Sequence, residues 1–135
     1  MKDTQELAKE IAQDLADRYV AVWNEPDAEA RRRAIAALWA PDGGHYIGTR
    51  EAHGYAALEQ RIAGSHQKNV RDGGNRFRVV TGARALRDVV TFFWEMLPAG
   101  SETVVATGLE FLIVDDQGRI ITDYQFVLDR ALAPL

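Results

Sequence analysis

Between Thr4 and Asn24 apolar residues return at steps of three and four: Leu7, Ile11, Leu15, Tyr19, Val22 and Trp23. That spacing predicts a helix with one apolar stripe, and Lys9, Glu10, Asp14, Asp17 and Arg18 fall mostly off it. Asn24-Glu25-Pro26-Asp27 ends the helix, because proline pushes the preceding residue out of the α region, and Asp27 can cap the next helix. That second helix is predicted over about 28–39, with Ile35, Leu38 and Trp39 on one side, closed by Pro41-Asp42-Gly43-Gly44. His45-Tyr46-Ile47-Gly48 is a short strand candidate, and a third helix is predicted over about 54–67 with Tyr55, Leu58, Ile62 and Ala63 in register.

After Asp72-Gly73-Gly74-Asn75 the period changes from helix to strand. Strands are predicted over 76–81, 85–97, 103–114 and 119–128. Pro98-Ala99-Gly100-Ser101 and Asp115-Asp116-Gln117-Gly118 are short turn sequences between the last three, as antiparallel neighbours require. Helices first and a strand meander afterwards is α+β, and no repeat or linker divides the chain, so one domain over 1–135 is expected. Long strands twist and curl, and three N-terminal helices are available to cover one face. The expected architecture is a cone: a curved antiparallel sheet of four to six strands closed by three helices around a central pocket. In the strand 85–97, Phe92 and Trp94 share one face while Phe93 takes the other, so both faces need cover. A homodimer through the outer sheet face would supply it.

Composition narrows the function classes. With no cysteine, disulfides, thiolate nucleophiles and Cys-ligated zinc are excluded, and a cytoplasmic setting is permitted. Sixteen Lys and Arg stand against 20 Asp and Glu, a net charge of −4, so nothing in the overall field attracts nucleic acid. The basic run Arg31-Arg32-Arg33 comes after Asp27 and Glu29 and is expected to be a solvated helix face. No stretch is apolar and long enough to span a bilayer. Met1-Lys2-Asp3-Thr4-Gln5-Glu6 is charged and is not followed by an uninterrupted apolar core, so no signal peptide is expected there. His45, His53 and His66 show no metal-ligand spacing, and no phosphate loop or nucleophile elbow is present, so neither metal nor cofactor is expected.

Four local strings, in this order of elements, give the chain a likeness. They are Arg18-Tyr19-Val20-Ala21-Val22-Trp23-Asn24, Leu38-Trp39-Ala40-Pro41-Asp42-Gly43-Gly44, Gly54-Tyr55-Ala56-Ala57-Leu58 and Asp116-Gln117-Gly118-Arg119-Ile120. From about residue 8 onward the sequence resembles the nuclear transport factor 2-like (SnoaL-like) superfamily, which includes polyketide cyclases and ketosteroid isomerases as well as plain binders. The resemblance implies a pocket for a small, largely apolar molecule. It leaves the chemistry open, because one fold hosts many functions.

Alternation in the last strand puts Ile121, Asp123, Gln125 and Val127 on one face and Thr122, Tyr124, Phe126 and Leu128 on the other. Hydrophobicity alone would bury the second set. The resemblance reverses this, since SnoaL-like sequences place polar pocket residues where Asp123 and Gln125 stand. Glu110 matches the acid that some ketosteroid isomerases use, protonated, to stabilise an oxyanion; an ion pair with Arg78 or Arg87 is the other reading. Tyr19 lies in the string that resembles the isomerases' oxyanion-tyrosine segment, although the helix stripe also accounts for it. The isomerase base position is Ile47, which cannot take a proton, so a base has to come from His45, Asp123 or His66. His53 is expected at a helix start as a surface or capping residue, and His66 points either inward or toward a helix C-terminus.

The candidate catalytic residues are therefore Asp123, His45, Glu110 and Tyr19. Gln125, Trp23, Trp94, Tyr46, Ile47, Tyr55 and His66 are the candidate ligand contacts. Two functions compete: a lyase, isomerase or cyclase acting on a small carbonyl compound, and a non-catalytic ligand-binding or dimerisation module. Convergence of Glu110, Asp123 and His45 on one cavity favours the first; solvent exposure or arginine pairing favours the second.

Overall fold

A computed structural model describes residues 3–128. Helix α1 spans Thr4–Asn24, α2 Ala28–Leu38 and α3 Gly54–Ser65, the last running into a π-helical segment, His66–Asp72. Strands β1 (Trp39–Ile47) and β2 (Arg50–His53) precede α3. The others come after it: β3 (Asn75–Val79), β4 (Arg84–Leu86), β5 (Val89–Pro98), β6 (Ala106–Val114) and β7 (Ile120–Leu128). Capping sets the helix starts: Asp3 accepts from the Glu6 amide and Asp27 from the Ala30 amide, both at 2.8 Å. No helix among the described residues is long and apolar enough to cross a membrane.

The helices lie on one face of a curved, open sheet of seven strands ordered β2-β1-β7-β6-β5-β3, with β4 also paired to β5. This is the expected α+β arrangement with a larger sheet and one difference of direction. The meander from β3 to β7 is antiparallel, but β1 joins it parallel to β7, since the intervening chain crosses over through α3. Pro41-Asp42-Gly43-Gly44 does not simply close α2. It belongs to β1, where the pairing with β7 shifts register between Trp39 and Gly44. The predicted strand 85–97 is split by a turn at Arg87-Asp88, and β4 folds back on β5 with Leu86 opposite Val89.

Three further expectations change. The stripe of α1 is buried only in its second half: Leu15, Tyr19, Val22 and Trp23 are core, whereas Leu7 and Ile11 are exposed. Arg31 is not on a solvated face; it is buried and donates from Nη1 to the Glu25 carbonyl, while Arg32 binds Glu29 and Glu59. Ile121 does not share the inner face with Asp123. A bulge shifts the β6–β7 register between Ile113 and Val114, so Ile120 is buried and Ile121 exposed.

Candidate functional site

Register across the middle strands builds the inner wall. Phe92 of β5, Glu110 of β6, Gln125 of β7 and Ile47 of β1 form one cross-strand row. Val90, Leu112, Asp123 and His45 form the next inward row, and Trp94, Gly108 and Val127 the one on the other side. Inward residues repeat every second position, so each row stacks directly beside its neighbour. Above this wall α1 lays down Tyr19 and Trp23, and α3 with its π-helical extension completes a cavity of about 490 Å³. Gly108 is what lets the indole of Trp94 lie flat across β6, because a β-carbon at that position would overlap its ring.

At the closed end of the cavity lies a buried polar network. Glu110, fully buried, accepts from Trp94 Nε1 at 2.9 Å through Oε1; no donor reaches its Oε2, and its side chain lies in hydrogen-bonding reach of Asp123 and Tyr19. Tyr19 donates its hydroxyl to Asp123 Oδ2 at 2.6 Å, and the other Asp123 oxygen is unpaired. His45 Nε2 is 3.1 Å from Gln125 Oε1 and 3.7 Å from Asp123 Oδ2. Among the described residues neither of these two carboxyls has an arginine in ion-pair range, although Arg61 lines the same cavity and feels their charge. Arg78, the proposed partner of Glu110, binds Glu95 and Glu102 instead, so the ion-pair reading of Glu110 does not hold. Burial, then the charge of Asp123, pushes the Glu110 carboxyl well above the usual carboxylate range and so favours its protonated form. Burial likewise, then the charge of Asp123, raises the Tyr19 phenol well above its ordinary value.

One ligand-type atom each from His45, Glu110 and Asp123 lies within 4.8 Å of the others, a set that could hold a metal ion. To bind there, a cation would have to displace the Glu110 proton and compete with the Tyr19 hydroxyl for Asp123. As it stands, the arrangement is a hydrogen-bonded network: an acid whose protonated form burial favours, a carboxyl that receives a phenol, and an imidazole bonded to an amide.

The predicted site residues divide into three groups. Tyr19, Glu110, Gln125, Trp23, Trp94 and Ile47 all line the cavity. Asp123 and His45 stand behind that wall, joined to it through Tyr19 and Gln125, and His45 lines a smaller adjoining pocket. Tyr46, Tyr55 and His66, expected as ligand contacts, are not among the residues lining either pocket. Tyr46 lies on the outer side, stacked near Tyr124 and bonded to His53 Nε2 at 2.7 Å, because its strand position is out of phase with His45 and Ile47. Tyr55 donates to the Trp39 carbonyl at 2.9 Å and so fastens α3 to β1. His66 is buried beside Asn24 and the charge of Arg31, and burial lowers its pKa. His53 makes no side-chain cap to α3.

The polar side of the cavity was missed. Arg50, Gln60, Arg61, Lys68 and Asn69 line it, opposite Phe77, Met96 and Ala106. A signal existed. Leu58, Arg61, Ile62 and Ser65 fall on one face of α3, so Arg61 interrupts an otherwise core-facing stripe.

No protein-family model matches the sequence, and no curated protein does. Solved structures do match. A SnoaL-like family protein from Agrobacterium tumefaciens, described as a candidate isomerase, superposes with a TM-score of 0.81 at 23% identity, over 89% of this chain and 99% of that one. A candidate polyketide cyclase from Sinorhizobium meliloti gives 0.63 at 14% identity, over 84% and 94%. A protein with a cystatin-like fold from Nostoc punctiforme gives 0.66 at 20% identity, over the whole of both chains. The chain thus has the nuclear transport factor 2-like, SnoaL-like fold. At these identities the likeness speaks for the fold, and function has to be argued from the site.

Proposed function

We propose that the cone binds a small, largely apolar carbonyl compound and moves a proton on it, as a lyase, isomerase or cyclase does. The observation that carries this reading is Glu110: a fully buried carboxyl on the cavity wall, beside Asp123 and Tyr19, whose protonated form burial favours. A neutral acid at the end of an apolar cavity is placed to donate a hydrogen bond to a carbonyl as it becomes an enolate. Proton removal is assigned to Asp123, reached through Tyr19. The raised Tyr19 pKa disfavours a free tyrosinate, so the phenol takes the substrate proton only as its own passes to Asp123, 2.6 Å away. His45 and Gln125 hold this group in place from β1 and β7.

A second reading is a non-catalytic binder or dimerisation module. It is favoured by Ile47, an apolar residue on the cavity wall where a ketosteroid isomerase carries its base, and by the apolar outer face of the sheet. On either reading the chain acts as one unit over 1–135 and pairs through that face, and its cysteine-free composition suits the cytoplasm.

Hydrogen–deuterium exchange separates the two readings. Incubated in D2O with 4-phenylbutan-2-one and a panel of cyclic ketones, the protein is expected to exchange α-protons faster than buffer, read by NMR. Asp123→Asn and Glu110→Gln should each slow that exchange by about 10²-fold or more. Ketones that bind, seen as a thermal shift, yet exchange no faster than in buffer would leave a binding protein.

A further inference from the structure

The cavity has an uneven charge distribution that the hydrogen-bonded network does not use. This is an acidic chain, and four of its surface arginines, Arg18, Arg32, Arg76 and Arg78, have carboxylates at 2.7–2.9 Å. Around the cavity three cations gather without such a match. Arg50, Arg61 and Lys68 all line it, and none has a carboxylate partner among the described residues. Glu51 borders the adjoining small pocket together with Arg50 and Arg61 but is in ion-pair range of neither.

Arg61 is the most constrained of the three. Its guanidinium sits 5.4 Å from the centre of the Trp23 ring, which holds its plane, and its Nε is buried with no hydrogen-bond partner. Burial, then repulsion from Arg50, lowers its pKa, so the two cations are close enough to oppose each other. Glu110 and Asp123 act on it more weakly. An unpaired donor beside a like charge is a costly arrangement in the free protein, and an anion would relieve both terms at once. Burial also orients the cavity. Arg50 and Lys68 are exposed and Arg61 is half-buried, whereas Glu110 is fully enclosed. The cations therefore stand at the entrance and the neutral acid at the far end, with Phe77, Met96 and Ala106 along the wall.

We propose that the cavity's ligand is an amphiphilic anion, an apolar body ending in a carboxylate that Arg61 receives at the entrance, flanked by Arg50 and Lys68. Nε and one terminal nitrogen of a guanidinium match the two oxygens of a carboxylate, a geometry that lysine cannot reproduce. The opposite end of such a molecule is directed toward Glu110. This inference rests on the pocket reading above and adds the class of compound to it. A phosphate monoester offers similar oxygens, so both sources are tested.

Isothermal titration calorimetry of the whole chain with 4-phenylbutanoate, 4-phenylbutyl phosphate, 4-phenylbutanamide and 4-phenylbutan-2-one makes the test. The carboxylate is expected to bind about tenfold or more tightly than the amide, with the preference shrinking as salt is raised. Arg61→Met should abolish that preference and leave amide binding within about twofold, and Arg61→Lys should restore little of it. If Arg61→Met unfolds, the exposed pair Arg50→Gln and Lys68→Gln, which should reduce the preference, carries the comparison. A phosphate that outbinds the carboxylate moves the ligand class to phosphate monoesters and overturns the carboxylate assignment. Equal binding of carboxylate and amide, or equal weakening of both in Arg61→Met, overturns the anion inference while the pocket reading stands. If none of the four compounds binds, the pocket reading fails and this inference with it.

Discussion

The two faces of β7 invert the usual rule. Toward the helices the strand presents Asp123, Gln125 and Val127; toward the outside it presents Tyr124 and Phe126, 41% and 53% exposed. Its neighbours continue the contrast. Inside lie Glu110 and Trp94, bonded to each other, and outside lies Phe93, paired across the strands with Leu109 and then Phe126. A sheet with water on one side normally turns its apolar side chains toward the core. Here polar ones turn inward where a cavity adjoins the packed core under the helices, and buried polar groups survive there by bonding one another. The outer apolar row is what the proposed homodimer rests on.

The largest expected effect comes from closing the inner face. Gly108→Val drives a branched side chain into the Trp94 indole and should cost about 3 kcal/mol in urea unfolding, with loss of the Trp94–Glu110 bond. An unchanged unfolding midpoint would mean that Trp94 does not lie across Gly108.

A smaller effect, with a definite pH dependence, is expected at Glu110. Its folded pKa is raised, so the stability it contributes is fully present below the unfolded carboxylate pKa and is lost as pH rises through the folded value. Glu110→Gln should therefore match the parent near pH 4 and become progressively more stable than it at higher pH. The gain should grow by about 1.4 kcal/mol per pH unit until the folded pKa is reached. A difference independent of pH would show that Glu110 is ionised in the folded protein.

The smallest effect on the fold itself is expected outside. Phe126→Glu, on a half-exposed side chain, should change monomer stability by no more than about 0.5 kcal/mol. It should nevertheless turn a dimer into a monomer in sedimentation. A parent protein that already sediments as a monomer would show that the outer face is not covered by a second copy.

Much of the fold was legible because it rests on local rules. The α1 and α2 limits are set by Asp3, Pro26 and Asp27, and the β5–β6 and β6–β7 turns by Pro98-Ala99-Gly100-Ser101 and Asp115-Asp116-Gln117-Gly118. β2 was not legible, being four residues that pair with β1 by geometry rather than by any alternation of their own. Nor was the bulge that turns Ile121 outward, since it depends on how β6 and β7 are stacked. In the site, Tyr19, Trp23 and Trp94 could be placed by period. Tyr46 was misplaced although simple alternation with His45 and Ile47 already sets it on the other face of β1.

The sequence by itself determined the three helices and the strands of the C-terminal meander in outline, the α+β order, and the pool of acids, histidines and tyrosine from which a site could be drawn. Periodicity and capping act over a few residues, so one chain suffices to read them. Only the tertiary structure decided that Asp123 faces in and Phe126 out, that Glu110 meets Trp94 rather than an arginine, and that Arg61 stands unpaired beside Trp23. Those outcomes depend on register between strands far apart in sequence and on burial, which sets the protonation of a carboxyl and has no counterpart in the linear chain.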